Sequence, residues 1–192
     1  SALAALTSGA SNVAVGYLAL KTISTTSHNT AVGYLAGEDC TGHHNTFIGK
    51  DAAKNAGDID SSVFIGSNSG TGVLTADADG SVGVGYGTLG ANTSGRYNTA
   101  VGYKAIETNV DGDNNTAVGY EALQTFEADA DGHGENTAVG FNALKAATTG
   151  TENTAVGSAA LSAGTLTGDR NTAVGLNALG NLASGNRNTA IG

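Results

Sequence analysis

Proline, tryptophan and methionine do not occur in this sequence of 192 residues, and aromatic side chains of any kind make up only 5%. The interior therefore has to be filled mostly by Ala, Val and Leu, which suit a thin core and cannot fill a thick one. Charge is just as sparse, at 13% of residues against roughly 25% in an average globular domain. The 8 Lys and Arg are outnumbered by 17 Asp and Glu, for a net charge of −9, and they form no cluster. A phosphate backbone is held by a basic stripe, so nucleic acid is not an expected partner. The single cysteine, Cys40, excludes an intrachain disulfide framework and a CxxC metal site; it is read as a small, semi-buried residue. No apolar run approaches the length of a membrane span, so no membrane insertion is expected, and the start carries no signal-peptide pattern.

What the chain does contain is repetition. NTAVGYEAL (115–123) has near copies at 98–106, 136–144, 153–161 and 171–179. Alignment on the glycine gives Gly16, Gly33, Gly49, Gly66, Gly85, Gly102, Gly119, Gly140, Gly157, Gly175 and Gly192, at intervals of 17, 16, 17, 19, 17, 17, 21, 17, 18 and 17. A fixed period of this size marks a solenoid. The whole of residues 1–192 is read as one repeat array, and both ends fall within repeats, as expected for a segment of a longer fibre protein.

Each column of the alignment has a physical meaning. The first holds Asn12, Asn29, Asn45, Asn98, Asn115, Asn136, Asn153, Asn171 and Asn188, with Ser62 and Ser81 in the other two copies. One Asn at the same place in successive coils predicts a hydrogen-bonded ladder of side-chain amides. Two residues on comes Ala, Phe47, Phe64 or Gly83, and beside it a Val or Ile in every copy. An unbroken β-branched column predicts a strand, with the Val/Ile side chains in a dry core, and the following glycine predicts a bend or close backbone approach.

After the glycine, a Tyr-rich position, a variable one, a small one and an aliphatic one, as in Tyr103, Lys104, Ala105 and Ile106, suggest a second short strand. A connector of Gly, Thr, Asn and Asp follows and absorbs all the length variation, as surface loops do. The expected fold is all-β: a parallel β-roll or β-solenoid of about 11 coils with a period near 17. At about 4.8 Å per coil, the rod is roughly 50 Å long. Successive strand residues point to opposite faces, so one apolar face is left over along the entire length. Two further copies of the chain, in cyclic symmetry, would cover it.

The pentapeptide NTAVG, with its variants SVFIG (62–66) and SVGVG (81–85), resembles the head repeats of trimeric autotransporter adhesins. The longer unit NTAVGYxAL with its connector is still more similar to repeats of bacteriophage and large-virus tail-fibre proteins. The resemblance covers the whole chain. It implies a left-handed homotrimeric fibre, placed on a virion tail fibre or a bacterial cell surface, that serves as a rigid shaft or head for adhesion to a host-surface glycan or protein. A bacterial adhesin head binding glycan or matrix is the alternative within that class.

Several features invite more specific chemistry. Acidic residues alternate before glycine at Asp77 and Asp79, and at Glu127, Asp129 and Asp131, like the first half of a calcium loop. The closing carboxylate is missing, since Ala138 stands at the twelfth place from Glu127, so these are read as solvated acidic loops with calcium as the competing reading; no other cofactor is suggested. The column Tyr17, Tyr34, Tyr86, Tyr103, Tyr120 and Phe141 is read as a packing ladder whose rings could alternatively face a glycan. The column Thr30, Thr46, Thr99, Thr116, Thr137, Thr154, Thr172 and Thr189 raises an ice-binding solenoid, but no second threonine rank accompanies it. VGYKAI (101–106) and its copies satisfy the hexapeptide pattern of acyltransferase β-helices, yet one hexad per coil and uneven intervals break that register. His28, His43, His44 and His133 share no column, and no catalytic residue is assigned; the chain is read as a non-enzyme.

Overall fold

A computed structural model describes residues 1–128 and 133–192. Among these residues eleven three-residue strands follow one another in chain order: β1 (Val13–Val15), β2 (Thr30–Val32), β3 (Thr46–Ile48), β4 (Val63–Ile65), β5 (Val82–Val84), β6 (Thr99–Val101), β7 (Thr116–Val118), β8 (Thr137–Val139), β9 (Thr154–Val156), β10 (Thr172–Val174) and β11 (Thr189–Ile191). They form one parallel sheet in sequential order. Pairing is column on column: Thr116 lies between Thr99 and Thr137, Ala117 between Ala100 and Ala138, Val118 between Val101 and Val139. The chain is a β-solenoid in which each repeat makes one turn. Coils are numbered below by their strands.

Within each strand the middle residue points inward. Ala31, Phe47, Phe64, Ala100, Ala117, Ala138, Ala155 and Ala173 are fully buried. The Val/Ile column, expected in the core, instead faces outward: Val118 is 38% exposed and Val15 58%. The reason is the period of two. The inward-pointing Asn and Ala lie two residues apart, so the Thr and Val that alternate with them must project from the other face.

The interior is also too narrow for a second bulky column. Where Phe47 and Phe64 replace Ala, a facing residue shrinks to glycine: an added Cβ would lie 2.5 Å from the Phe47 ring at Gly37 and 2.6 Å from the Phe64 ring at Gly70. The two rings stack at 6.2 Å. In coil 5 the inward residue is Gly83, which leaves room for the buried Ser69–Thr88 hydroxyl pair, 2.7 Å apart.

The expected second strand is a turn. In coil 6, Lys104 (φ 53°) and Ile106 (φ 50°) occupy the left-handed region, and the same two places are left-handed in Leu18 and Leu20, and in Glu121 and Leu123. An extended chain cannot carry that alternation. Its effect is to aim backbone N–H groups in both axial directions: Lys104 donates back to Tyr86 O at 2.9 Å, and Ile106 donates forward to Ala122 O at 3.1 Å. A left-handed residue other than glycine costs roughly 1–2 kcal/mol, which the buried side chains Leu20, Ile106 and Leu123 offset. Connectors complete the core with Ile23, Ile59, Leu74, Phe126 and Leu166.

The column glycine combines both of its expected roles. Gly119 has φ +143°, and a Cβ there would sit 2.2 Å from the Gly140 carbonyl oxygen of the next coil. Only glycine permits that spacing.

Candidate functional site

The Asn column forms a continuous buried ladder. Asn29 and Asn98 offer Oδ1 to the backbone N–H of Asn45 (3.0 Å) and Asn115 (2.9 Å) in the following coils. Asn115, Asn136, Asn153 and Asn171 do the same for Asn136, Asn153, Asn171 and Asn188 at 2.9–3.1 Å. Most Nδ2 groups donate across the coil to a connector carbonyl, as Asn98 does to Gly112 O (2.8 Å), Asn136 to Gly150 O (3.0 Å) and Asn153 to Gly168 O (2.8 Å), whereas Asn115 Nδ2 donates to Asn98 Oδ1 and Asp113 O. In coils 4 and 5, Ser62 and Ser81 carry the ladder with their hydroxyls at 3.3 Å. These amides and hydroxyls are buried and bonded internally, so they offer no surface for a ligand.

A second ladder escaped the column reading. Two residues before the Asn, the side chains of Ser27, His43, Asp60, Asp79, Asp113, Asp169 and Asn186 accept backbone N–H groups from the preceding coil, at 2.6–3.2 Å. It runs opposite to the Asn ladder, in which the acceptor belongs to the preceding coil. The signal in the sequence was a preference for short acceptors at that place, obscured by changes of identity next to connectors of variable length.

The acidic candidates are distributed over this framework. Asp79 gives Oδ1 to the Asp60 N–H at 2.7 Å, and its carboxyl is held above the usual range by burial. Asp77, in the 3-10 turn Ala76–Ala78, is exposed and lies 3.9 Å from the Arg96 guanidinium. Glu127 belongs to the connector before β8, away from the Asp77/Asp79 loop before β5, and burial together with the neighbouring Asp111 raises its carboxyl. Asp129 and Asp131 lie outside the described residues. Among the described residues no three His, Cys, Asp or Glu are grouped to hold a metal ion.

The aromatic column forms two stacks. Tyr17 and Tyr34 lie 5.3 Å apart; Tyr86, Tyr103, Tyr120 and Phe141 continue at 5.4, 5.1 and 5.3 Å with planes tilted by at most 15°. Lys50 and Ser67 occupy the interrupted places. A ring inside a stack has both faces covered by its neighbours, so edges and hydroxyls meet the solvent. A free face, the part that a sugar ring stacks on, exists only where a stack ends.

The outward strand face carries the Thr rank and the Val/Ile rank side by side, so its second rank is aliphatic. His28 and His44 stack at 4.8 Å on the surface, and His43 Nδ1 accepts the Ser27 N–H at 3.2 Å. A cleft of about 330 Å³ is lined by Glu135, Thr151, Glu152, Asp169 and Arg170 among others. Its charges already satisfy one another: Arg170 donates twice to Glu152, at 2.9 and 2.8 Å, and Asp169 accepts the Thr151 N–H. Among the described residues no helix is long and apolar enough to cross a membrane. No family model, curated protein or solved structure matches the chain.

Proposed function

We propose that the chain is a rigid, non-catalytic fibre segment that assembles with two further copies of itself into a left-handed homotrimer, and that it works as the shaft or head of a viral tail fibre attaching to a host surface. The observation that carries this reading is the exposed apolar stripe. Val15, Val32, Ile48, Val118, Val139, Val156 and Ile191 are each at least 36% exposed. A stripe this long, repeated in coil after coil, is the mark of an interface, and identical chains supply a surface of matching length and pitch.

The internal use of the buried polar side chains fits a mechanical role. Light scattering on the pure chain at micromolar concentration tests the assembly. The expected mass is three times the 18.8 kDa of one chain, and a particle of one chain mass refutes it. Retention of the labelled chain on a panel of bacterial cells tests the attachment.

A further inference from the structure

The lower end of the longer aromatic stack is unlike the rest of the rod. Tyr86 packs one face against Tyr103, but the residue at the equivalent place in the preceding coil is Ser67, too short to cover the other face. Beside that ring the surface is recessed. Gly87 and Gly90 stand where the neighbouring coils place Asn68 and Lys104, and Thr71 and Glu107. The result is a cleft of about 400 Å³ with Gly87 as its floor and Tyr86, Asn68, Thr71, Lys104 and Glu107 around it.

The fold does not require glycine at position 87. Gly87 has φ +64°, but Asn68, Lys104, Glu121 and Asn142 take the same left-handed conformation at the same place with full side chains. A Cβ on Gly87 would meet only Lys104 Cγ, at an ordinary 3.6 Å. The recess is therefore a local departure from the repeat that packing leaves unexplained.

We infer that this recess binds a single pyranose ring of a glycan, seated over Gly87 and against the Tyr86 ring, with its hydroxyls on Asn68, Lys104 and Glu107. The chemistry is complementary on each side. The aliphatic C–H face of a sugar matches an aromatic face. The rim presents both donors and acceptors: the Lys104 ammonium, which pairs with Glu107 at 2.9 Å, the Glu107 carboxylate, and the Asn68 amide, 3.5 Å from the Tyr86 hydroxyl. A hydroxyl group donates and accepts at once, so an adjacent cation and anion suit it better than either charge alone. The rim carries both signs, and a phosphate or carboxylate would meet the Glu107 oxygens.

The role of the recess in adhesion rests on the attachment reading above, in which a trimer would carry three such sites and raise weak affinity by multivalency. Ring binding itself does not require the trimer.

The test is a titration of the isotope-labelled full chain with the methyl glycosides of glucose, galactose, mannose and N-acetylglucosamine, followed by amide NMR. At least one glycoside should shift the Gly87 and Gly90 resonances, with a Kd on the order of 1 mM for one small ring. Gly87→Asn, which places in coil 5 the residue its column holds in coil 4, and Tyr86→Ser, which copies Ser67, should each weaken binding at least about tenfold with melting unchanged. Tyr120→Ser, in the covered part of the stack, should leave binding intact. If no glycoside shifts these amides, or if Gly87→Asn binds as well as the parent, the inference is wrong. Cell retention that persists in Gly87→Asn would remove the recess from adhesion and leave attachment standing; glycoside binding by a parent chain that neither trimerises nor adheres would leave ring binding standing and sink the attachment reading.

Discussion

Asn115→Ala puts the largest local demand on the ladder. The side chain is fully buried. Its Oδ1 accepts the Asn136 N–H at 3.1 Å, and its Nδ2 donates to Asn98 Oδ1 and to Asp113 O, both at 3.1 Å. Asn98 Oδ1 keeps a second donor, the Asn115 N–H at 2.9 Å, so its loss is partial. The Asp113 carbonyl likewise keeps the Glu135 N–H at 3.0 Å, so the group left without a partner, in a place water does not reach, is the Asn136 N–H. An unsatisfied buried group costs about 1–3 kcal/mol. For a chain of this size that lowers Tm by roughly 2–12 °C. Asn115→Ser is the informative partner, because Ser62 and Ser81 already hold the same column with longer bonds of 3.3 Å. It should recover about half of the loss. Thermal unfolding followed by circular dichroism reads both variants. An Ala variant that melts with the parent, or a Ser variant no better than Ala, would show that the ladder adds nothing to backbone pairing.

The remaining expectations use other parts of the coil. Gly119→Ala combines a φ of +143° with a Cβ 2.2 Å from the Gly140 oxygen, so it should destabilise by at least about 3 kcal/mol in denaturant titration; normal stability would mean that coil spacing is softer than the structure indicates. Val118→Asp places its carboxylate on a side chain 38% exposed in one chain, so circular dichroism should stay native while light scattering shows weakened association; loss of fold would return Val118 to the core. Cys40 is fully buried, and burial pushes its thiol up from 9.0 to about 11. Since the folded thiol resists ionisation, its contribution is complete below pH 9 and is lost between about 9 and 11, at up to about 1.4 kcal/mol per pH unit. Cys40→Ala should flatten that stretch of the stability profile, and in the parent a thiol reagent should react only on unfolding.

How much of this could be read from the letters depends on which physical constraint left a repeating mark. The strand position and the register of ten pairings were legible, because an Asn-x-Ala-Val-Gly column tolerates little change when every coil must stack on the last. The direction of the side chains was less so. Val is more apolar than Ala, and hydrophobicity alone sent Val118 inward; the width of the coil, visible in Gly37 yielding to Phe47, sends Ala117 there instead. Tyr103-Lys104-Ala105-Ile106 alternates as a strand would, yet its left-handed Lys104 and β-branched Ile106 carry no sequence flag for that conformation. The ladder through His43, Asp60 and Asp79 depends on a shared function, accepting an N–H, that several residue types perform. The recess at Gly87 is legible only against its neighbours, as a place where the repeat omits a side chain.

The one-to-one pairing of columns has a consequence for how such a chain changes over generations. A coil touches only the coils before and after it, and its axial rise is set by backbone pairing rather than by connector length. The 21-residue interval before Gly140 and the 16-residue interval before Gly49 therefore advance the rod by the same single step. Duplication or loss of one gene segment encoding a repeat alters reach in increments of about 4.8 Å and leaves each surviving coil with the same kind of neighbours. Length is thus a digital property of this molecule, adjustable by recombination without redesign, while loop sequences remain free to diversify on its flank.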